Sequence, residues 1–391
     1  MKIQFVIISV LILLVVSCNK NKTSQPVDAS ITVIKSLNSQ EELSVIPPSF
    51  DQVTIVPLET NDDVLVGDIE QIQVNDSLIF VSDWNRKLFV FDKQGRFRNM
   101  IGSRGNGPGE YRALGAFFID DNSNEIVILD QMKSTFLKYG FDGKFHSNGV
   151  RIDNSQIDPE CASSHGDFIL LNNSITPENT AAYRLYNDKG ETVFSKQYYG
   201  FSVSDYALLF SINPIAKVDD GLHFIMPLCD TVFQCKDDYV IPKYIIEHSK
   251  KMATIENYKM NNEQTITGFE IQSVKDGLFT GFRDIFETDR HILLNYGWIS
   301  GYNSGYFLVD KKTDIGLYYL YDKESIFSVM PFFRINASDG KNFVSIVPAY
   351  QLLPFKGKID AANDENLEKF KTGVENLDEE DNPVLFFYKL K

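Results

Sequence analysis

The residues best suited to contacting a ligand lie in a short polar segment around the first of two tryptophans. Trp84 stands between Asp83 and Asn85, and an exposed indole beside polar side chains suits stacking on a sugar ring or contact with a peptide. The second tryptophan, Trp298, follows Asn295-Tyr296-Gly297 in a similar setting. We predict that Trp84, Asn85 and Trp298 bind ligand; the alternative is that both indoles pack between neighbouring sheets.

A second candidate segment is the glycine-rich stretch 102–109, which is followed by Glu110, Tyr111 and Arg112. It does not match a phosphate-binding loop, because no Lys-Ser/Thr pair follows and the next element has the pattern of a strand. We interpret it as a crossover between two sheets. Arg104, Glu110, Tyr111 and Arg112 are predicted ligand contacts at a channel mouth. Alternatively, the glutamate and Arg112 pair with each other or with a neighbouring sheet, and the tyrosine packs inside.

The pattern for hydrolysis is weak, so we predict no catalytic residue. The five histidines are scattered without metal-ligand spacing, and the chain lacks a Gly-x-Ser-x-Gly elbow. We therefore expect no cofactor and no metal site. Carboxylates in turn-rich β proteins usually face solvent or cap turns, but four of them could point inward and hold calcium: Asp83, Glu110, Asp130 and Asp230.

A repeated β structure must position these residues. Two successive segments each contain four short apolar strands separated by Asp, Asn and Gly turns, at a period of roughly 45–50 residues, which is typical of β-propeller blades. The predicted strands are Ile69–Val74, Leu78–Ser82, Leu88–Phe91 and Phe97–Ile101, then Ala116–Ile119, Ile126–Leu129, Thr135–Tyr139 and Lys144–Val150.

The same turns recur along the chain and predict six blades. The last blade would take its first two strands from Phe332–Asn336 and Phe343–Val347 and its third from Val384–Leu390. Its fourth strand would be Val53–Leu58, so that the two ends of the chain close the ring and remove open sheet edges. Asn363–Glu379 has helical spacing of apolar residues and predicts one inserted helix. The predicted fold is an all-β, six-bladed β-propeller.

Several of these segments resemble one known family. The glycines Gly102 and Gly105, the run Gly107–Tyr111, the turn Phe91–Gly95 and the closing strand Asn382–Leu385 are similar to those of six-bladed β-propeller lipoproteins of Bacteroidetes. That family is grouped loosely with NHL-repeat and TolB-type propellers. The resemblance implies the fold and an envelope location, whereas propellers carry many unrelated activities.

The N-terminus indicates export and lipid anchoring. An apolar run, Phe5–Val16, is too short for a permanent membrane span and suits a secretory signal. It ends in Ser17-Cys18, which resembles a bacterial lipobox and implies lipid on Cys18. The residues after it, Asn19–Lys22, lack the acidic pair of surface-exported lipoproteins. We therefore expect an outer-membrane protein anchored on the periplasmic side.

The domain prediction follows from these segments. Residues 1–17 are the signal peptide, 18–50 a flexible tether with one weak segment at Ile31–Ile34, and 51–391 the propeller. A formal net charge of −15 without a basic cluster argues against nucleic acid as a partner. We expect a monomer.

The longest predicted loops emerge on one face of the propeller, and binding residues concentrate in such loops. The predicted function is therefore non-enzymatic binding of a protein, peptide or glycan through this long-loop face. The rival is a calcium-dependent lactonase- or esterase-like hydrolase, or a lyase, with its site in the central channel. The loops are Gly102–Gly115, Tyr199–Pro214, Glu247–Thr280, Tyr296–Gly305 and Tyr350–Pro383.

Overall fold

The computed structural model shows a protein built mostly of β-strands. In the described part of the chain, the helices of four or more residues are α1 (Ile266–Lys275), α2 (Ala349–Leu352) and α3 (Glu365–Glu375), and a 3₁₀ turn covers Leu353–Phe355. The structure describes residues 30–38, 48–120, 123–152, 158–165, 168–174, 181–197, 213–226, 228–254, 257, 266–296, 305–320, 330–361 and 364–391.

Within these ranges the strands group into six antiparallel units of four strands. Units one to five each use four consecutive strands, and unit six combines strands from both ends of the chain. Two strands precede unit one, β1 (Thr32–Ser36) and β2 (Phe50–Pro57). Unit one consists of β3 (Ile69–Val74), β4 (Leu78–Asp83), β5 (Leu88–Asp92) and β6 (Phe97–Met100). Two short strands follow, β7 (Ser103–Arg104) and β8 (Glu110–Tyr111). Unit two consists of β9 (Leu114–Asp120), β10 (Glu125–Asp130), β11 (Thr135–Gly140) and β12 (Phe145–Arg151).

The later units follow the same plan. Unit three consists of β13 (Asp158–His165), β14 (Phe168–Ser174), β15 (Ala181–Tyr186) and β16 (Thr192–Gln197), and unit four of β17 (Ile215–Val218), β18 (Gly221–Phe224), β19 (Thr231–Lys236) and β20 (Tyr239–Ile246). Two short strands, β21 (Lys251–Met252) and β22 (Leu278–Phe279), come next. Unit five consists of β23 (Phe282–Glu287), β24 (His291–Tyr296), β25 (Gly305–Asp310) and β26 (Ile315–Leu320). Unit six is β27 (Ala337–Ser338), β28 (Phe343–Val347) and β29 (Val384–Leu390), completed by β2.

The pairing of the two chain ends confirms the predicted closure. β2 runs antiparallel to β29, with Val53 opposite Tyr388 and Val56 opposite Leu385. The side chains of Val53 and Tyr388 are buried in one apolar cluster with α3. The first strand of this unit begins later than predicted: its paired residues are Ala337 and Ser338, opposite Val344 and Phe343, and of the predicted segment Asn336 donates from its main-chain nitrogen to Val344 O.

The first strands of successive units lie side by side. β9 contacts β13, β13 contacts β17, β17 contacts β23, β23 contacts β27, and β27 contacts β3. Between β3 and β9, the amide groups of Gln71 and Gln73 hydrogen-bond to the main chain of Phe117 and Ile119. The six first strands therefore surround a common centre.

The turns explain why the repeat is readable from sequence. In the turn after β5, Asp92 Oδ1 accepts hydrogen bonds from the main-chain nitrogens of Gln94 and Arg96, both at 3.0 Å. Gly95 has φ +80°, and a Cβ there would lie 2.1 Å from Pro57 O on β2. Only glycine fits this conformation and this close approach, so an Asp-to-Gly turn marks the place where unit one packs on the closing strand.

Part of the predicted tether is an ordered strand. β1 lies between the last strands of units four and five, parallel to β20 through Thr32–Ile34 and to β26 through Lys35 and Ser36. Ile34 is fully buried between these units. The sequence allowed only a weak segment here, because five residues carry no repeat marker and the stabilising partners are more than 200 residues away.

The helix prediction is confirmed for α3 but incomplete. Asp364 caps α3 by accepting hydrogen bonds from the main-chain nitrogens of Asn366 and Leu367. Leu367, Phe370 and Val374 form the buried face of α3. The sequence missed α1, which lies in a stretch predicted as a loop, and the four-residue α2.

Candidate functional site

A cavity of about 770 Å³ lies at the centre of the ring of first strands. Its walls come from the later residues of these strands, such as Gln71 to Val74 on β3 and Ile285 to Glu287 on β23. The turns between first and second strands form its rim. The rim residues are Asn75, Asp76 and Ser77 in unit one, Asn124 in unit two, Asp219 in unit four, Asp289 in unit five and Asp339, Gly340 and Lys341 in unit six.

Ion pairs join unit one to unit six at this rim. Lys341 Nζ lies 2.8 Å from Asp76 Oδ1, and Lys93 Nζ lies 3.0 Å from Asp339 Oδ2. The hydrogen bond from Lys341 lowers the pKa of Asp76, and the same contact raises the pKa of Lys341. Each of these two rim carboxylates is thus paired with a lysine from the other unit.

A buried polar cluster borders the cavity between units four and five. Glu287, which lines the cavity, accepts one contact from His223 Nδ1 at 2.7 Å and another from Lys311 Nζ at 3.0 Å. Its side chain and that of His223 are each only 3% exposed. Burial, followed by the negative charge of Glu287, raises the pKa of the adjacent Tyr244. Both carboxylate oxygens are used, so Glu287 holds two units together.

The loop that carries Trp84 lies at the opposite end of β3. Asp83, fully buried, accepts hydrogen bonds from the main-chain nitrogens of Gly67 at 3.2 Å and Lys87 at 3.0 Å. Trp84 N donates to Asp68 O at 2.9 Å, while its side chain is 73% exposed. Asn85 is also exposed, and its amide contacts Asp83 Oδ2 at 3.3 Å. A fixed main chain thus presents an exposed indole.

In the glycine-rich segment next to this loop, the side chains of Glu110 and Arg112 hydrogen-bond to other residues of the same segment. Glu110 Oε2 accepts a hydrogen bond from Gly107 N at 2.7 Å, and Arg112 Nε donates to Asn106 Oδ1 at 2.7 Å. Tyr111 is 2% exposed, its hydroxyl donates to Arg86 O at 2.8 Å, and burial raises its pKa to about 12.

In the structure, the side chains of Glu110 and Arg112 bind partners inside the segment rather than each other, and Tyr111 packs inside. Arg104 is exposed on β7, which pairs in parallel with β8, and Arg112 is also exposed. Ligand contact stays a prediction for the candidate residues Trp84, Asn85, Arg104, Glu110, Tyr111 and Arg112.

Two further predictions concern residues outside the described ranges. Trp298 and the lipidation residue Cys18 both lie there, so the placement of neither bears on the site.

The carboxylates named for calcium are engaged in turns. Asp130 accepts hydrogen bonds from the main-chain nitrogens of Arg112 and Met132 at 2.9 and 3.1 Å. Asp230 contacts Thr231 Oγ1 and His248, and the contact with His248 lowers its pKa. Asp83 and Glu110 bind main-chain nitrogens, as described above. Among the described residues, no group of three His, Cys, Asp or Glu side chains is arranged to hold a metal ion.

The predicted Trp84 loop and the cavity lie at opposite ends of the first strands. The Trp84 loop is at the beginning of β3, whereas the cavity is at its end. The rim turns are recognisable in the sequence as Asp, Asn and Gly repeats, a pattern that predicts the repeat but not the cavity. The cavity exists because these turns converge, and their convergence can be recognised only once the first strands are known to surround a common centre.

Fold and site together define a mostly β protein whose described four-stranded units surround a central cavity. The chain belongs to a family described as a domain of unknown function, DUF4934, which matches residues 29–389. No curated protein matches the sequence.

Solved structures of Bacteroides proteins are similar to this chain. A Bacteroides fragilis NCTC 9343 protein described as exported has 21% identity and a TM-score of 0.70, covering 92% of this chain and 100% of its own. A DUF4221-family member from Bacteroides vulgatus ATCC 8482 has 11% identity and a TM-score of 0.49, covering 88% of this chain and 98% of its own. The first likeness shows a shared fold.

Helices in the described part of the chain are all too short or too polar to cross a membrane.

Proposed function

We propose that this protein is an exported lipoprotein, held by lipid on Cys18 at the periplasmic side of the outer membrane, that binds a partner without catalysing a reaction. In this proposal the six four-stranded units are the blades of a propeller, and the protein works as a monomer. The apolar run before Ser17-Cys18 supports export. So does the similar fold of a Bacteroides protein described as exported.

One observation supports the binding role above all: the Trp84 side chain is exposed, while the main chain of its loop is fixed by hydrogen bonds to Asp83 and Asp68. A large apolar ring in water costs free energy unless a partner covers it, and exposed aromatic side chains are enriched at binding sites. The turn around Asp83 holds the loop before any partner arrives, so little conformational entropy is lost on binding. Together with Asn85 and Arg104, the indole suits a glycan or a peptide.

The test is direct binding with a matched pair of variants. Trp84→Ala removes the exposed ring, and Met132→Ala removes the 67% exposed Met132 from the corresponding loop of unit two. Glycan and peptide arrays probed with the lipidated protein identify ligands, whose Kd is then measured by calorimetry. We expect Trp84→Ala to weaken binding by at least about tenfold and Met132→Ala by less than about twofold. Equal effects of the two variants would remove the Trp84 loop from the proposal.

A second candidate function is favoured by the cavity. Its volume of about 770 Å³ lies within the range of small-molecule pockets, and its rim is polar. A small polar ligand there would raise the melting temperature of the protein by mass action. Asp219→Lys, at the rim, should abolish that shift, and Asp238→Lys, in the turn between β19 and β20, should not. If both variants keep the shift, the ligand does not bind in the cavity.

The rival from another class is a calcium-dependent lactonase- or esterase-like hydrolase, or a lyase, acting in the channel. The turn contacts of Asp83, Glu110, Asp130 and Asp230 weigh against it, because each carboxylate already serves main-chain or side-chain partners. Elemental analysis for calcium and turnover of lactone and ester panels distinguish the classes. Stoichiometric calcium with turnover would replace the binding proposal.

A further inference from the structure

Exposed apolar side chains concentrate at the outer edge that β1 occupies between units four and five. On β1 and the residues that flank it, the outward positions alternate with the buried Ile34. Ile31 is 40% exposed, Val33 51% and Leu37 67%. The neighbouring strands extend this row, since Val33 is paired with the half-buried Ile245.

On the other side, Lys35 is paired with the half-buried Ile315. We name the row formed by Ile31, Val33, Leu37, Ile245 and Ile315 the N-terminal apolar strip.

The strip cannot recruit a partner by adding a strand. Both edges of β1 are occupied, because Thr32–Ile34 pair with β20 and Lys35 and Ser36 pair with β26. Further main-chain hydrogen bonds join Glu247 N to Ile34 O and Leu37 N to Gly316 O. A partner must therefore cover the side chains, which favours an apolar surface over an extended peptide.

The preceding chain identifies which apolar surface is near. Ile31 follows Cys18 by 13 positions. Fully extended, that segment spans at most about 45 Å, and as a flexible chain its root-mean-square length is about 20 Å. Lipid on Cys18 would thus keep the strip within a few tens of ångströms of the bilayer at all times.

Two lysines accompany the strip. Lys35 is exposed in the same outward row, and Lys243 lies two residues before Ile245 on β20. Apolar side chains with long basic side chains beside them are typical of segments that rest at the headgroup level of a bilayer. Glu247 and Asp314 are also exposed next to the paired strands, so the charge at this edge is mixed and the apolar row is the feature that favours a bilayer.

We propose that the N-terminal apolar strip docks on the bilayer next to the lipid anchor, so that the protein stands on the outer edge between units four and five. This inference rests on the proposed lipid anchor at Cys18. With that edge against the membrane, the Trp84 loop and the cavity rim, at the two ends of the first strands, both remain open to the periplasm.

The experiment places a tryptophan on the strip in the full lipidated protein. Val33→Trp and Leu37→Trp each add one indole to the strip, and Leu65→Trp adds one at a similarly exposed apolar site, 54% exposed and outside the strip. Each variant is reconstituted in phosphatidylethanolamine–phosphatidylglycerol vesicles with or without brominated acyl chains. The native tryptophans give the same background in all three.

We expect the emission added at positions 33 and 37 to fall at least about twofold with brominated lipid, because an indole at the headgroup boundary reaches the acyl chains. The emission added at position 65 should be unchanged. Equal quenching at all three positions, or none at positions 33 and 37, would overturn the proposal. Shielding of positions 33 and 37 from aqueous acrylamide without quenching by brominated lipid would also overturn it, because a protein segment would then cover the strip.

The anchor is tested separately by the intact mass of the purified protein. If the mass includes the acyl groups but brominated lipid does not quench positions 33 and 37, only the docking of the N-terminal apolar strip is refuted. An unmodified Cys18 refutes the anchor itself.

Discussion

The two ends of the first strands are stabilised in different ways. At the loop end, the buried carboxylates Asp83 and Asp130 are satisfied by main-chain N–H groups close by. At the cavity end, side chains of another unit are added to the local partners: Lys341 binds Asp76, Lys93 binds Asp339 and His223 binds Glu287. Asp339 also accepts local hydrogen bonds from the main-chain nitrogens of Lys341 and Asn342. The loop end is thus built locally, and the cavity end is built between units.

This difference has a functional meaning. A locally held loop can change the residue that it presents without disturbing neighbouring units. Units one and two illustrate this: Trp84 N and Gln131 N make the same main-chain contact to the segment before their first strands, to Asp68 O and Ala113 O, but only unit one presents an indole. Buried residues at the cavity end have partners in another unit, so substitutions of these residues should destabilise more than one unit.

The largest effect should come from Glu287→Ala. The substitution leaves Lys311 and the buried His223 without their carboxylate, and breaking a buried ion pair from one side costs about 3–5 kcal/mol. The free energy of unfolding, measured with urea, should fall by that amount, because two units lose their link. Asp219→Ala, which removes an exposed carboxylate from the same cavity, is the control and should change it little. Similar losses in both variants would show that the cluster is not a link between units.

Asp83→Ala should have the next largest effect. It removes the acceptor of the Gly67 and Lys87 main-chain N–H groups, and buried donors left unsatisfied cost about 1–3 kcal/mol. Hydrogen exchange should speed up at the loop of unit one but not in units four and five, because these bonds are local. The exposed neighbour Asp68 gives the control variant Asp68→Ala. Faster exchange throughout the molecule would contradict the local character of this end.

Tyr111→Phe should have a smaller effect. It deletes only the hydroxyl that donates to Arg86 O, and such a bond contributes about 1 kcal/mol. Ligand binding by the Trp84 loop should persist, since the ring that packs beneath the loop is kept. Chemical denaturation gives the stability, and calorimetry with the array-selected ligand gives the affinity. A tenfold loss of affinity with unchanged stability would instead place Tyr111 at the ligand.

The smallest effect should come from the exposed pair Asp76–Lys341. Because Lys341 lowers the pKa of Asp76, the folded state holds its proton less tightly than the unfolded state. The pair therefore contributes stability above the ordinary aspartate pKa of 3.8, and this contribution is lost as the pH falls below it. Thermal unfolding of Lys341→Ala should show a shallower acid dependence than the parent protein.

Salt and a second surface pair sharpen this last comparison. Added salt should reduce the difference between parent and Lys341→Ala, because exposed charges are screened. Lys369 and Glu365, an exposed pair within α3, give the control Lys369→Ala, which joins no units. An acid dependence that is steeper in Lys341→Ala than in the parent would reverse the sign argued here.

Much of the fold was predictable from particular residues. The strands of unit one were placed within a residue or two, because Asn75-Asp76 and Asp92 to Gly95 are local turn signals whose chemistry is complete within a few residues. The closing pair β2 and β29 followed from an unassigned apolar segment at each end of the chain. The helix α3 followed from the helical spacing of its apolar residues.

The site was predictable only in part. The exposed Trp84 loop was identified because its flanking polar residues are contiguous. The burial of Tyr111 was one of two open alternatives, because its acceptor Arg86 O and its packing partners belong to another segment. The Glu287 cluster was not identified, since its members lie on β18, on β23 and in the turn after β25.

The sequence by itself determined the units, their turns and the meeting of the two chain ends, because these depend on local turn chemistry and on the two-residue period of apolar side chains. Only the tertiary structure decided which turns converge on a cavity, which carboxylates pair across units, and that β1 fills the edge between units four and five. The physical reason is range: a turn is specified by neighbours along the chain, whereas burial and charge pairing depend on residues that only folding brings together.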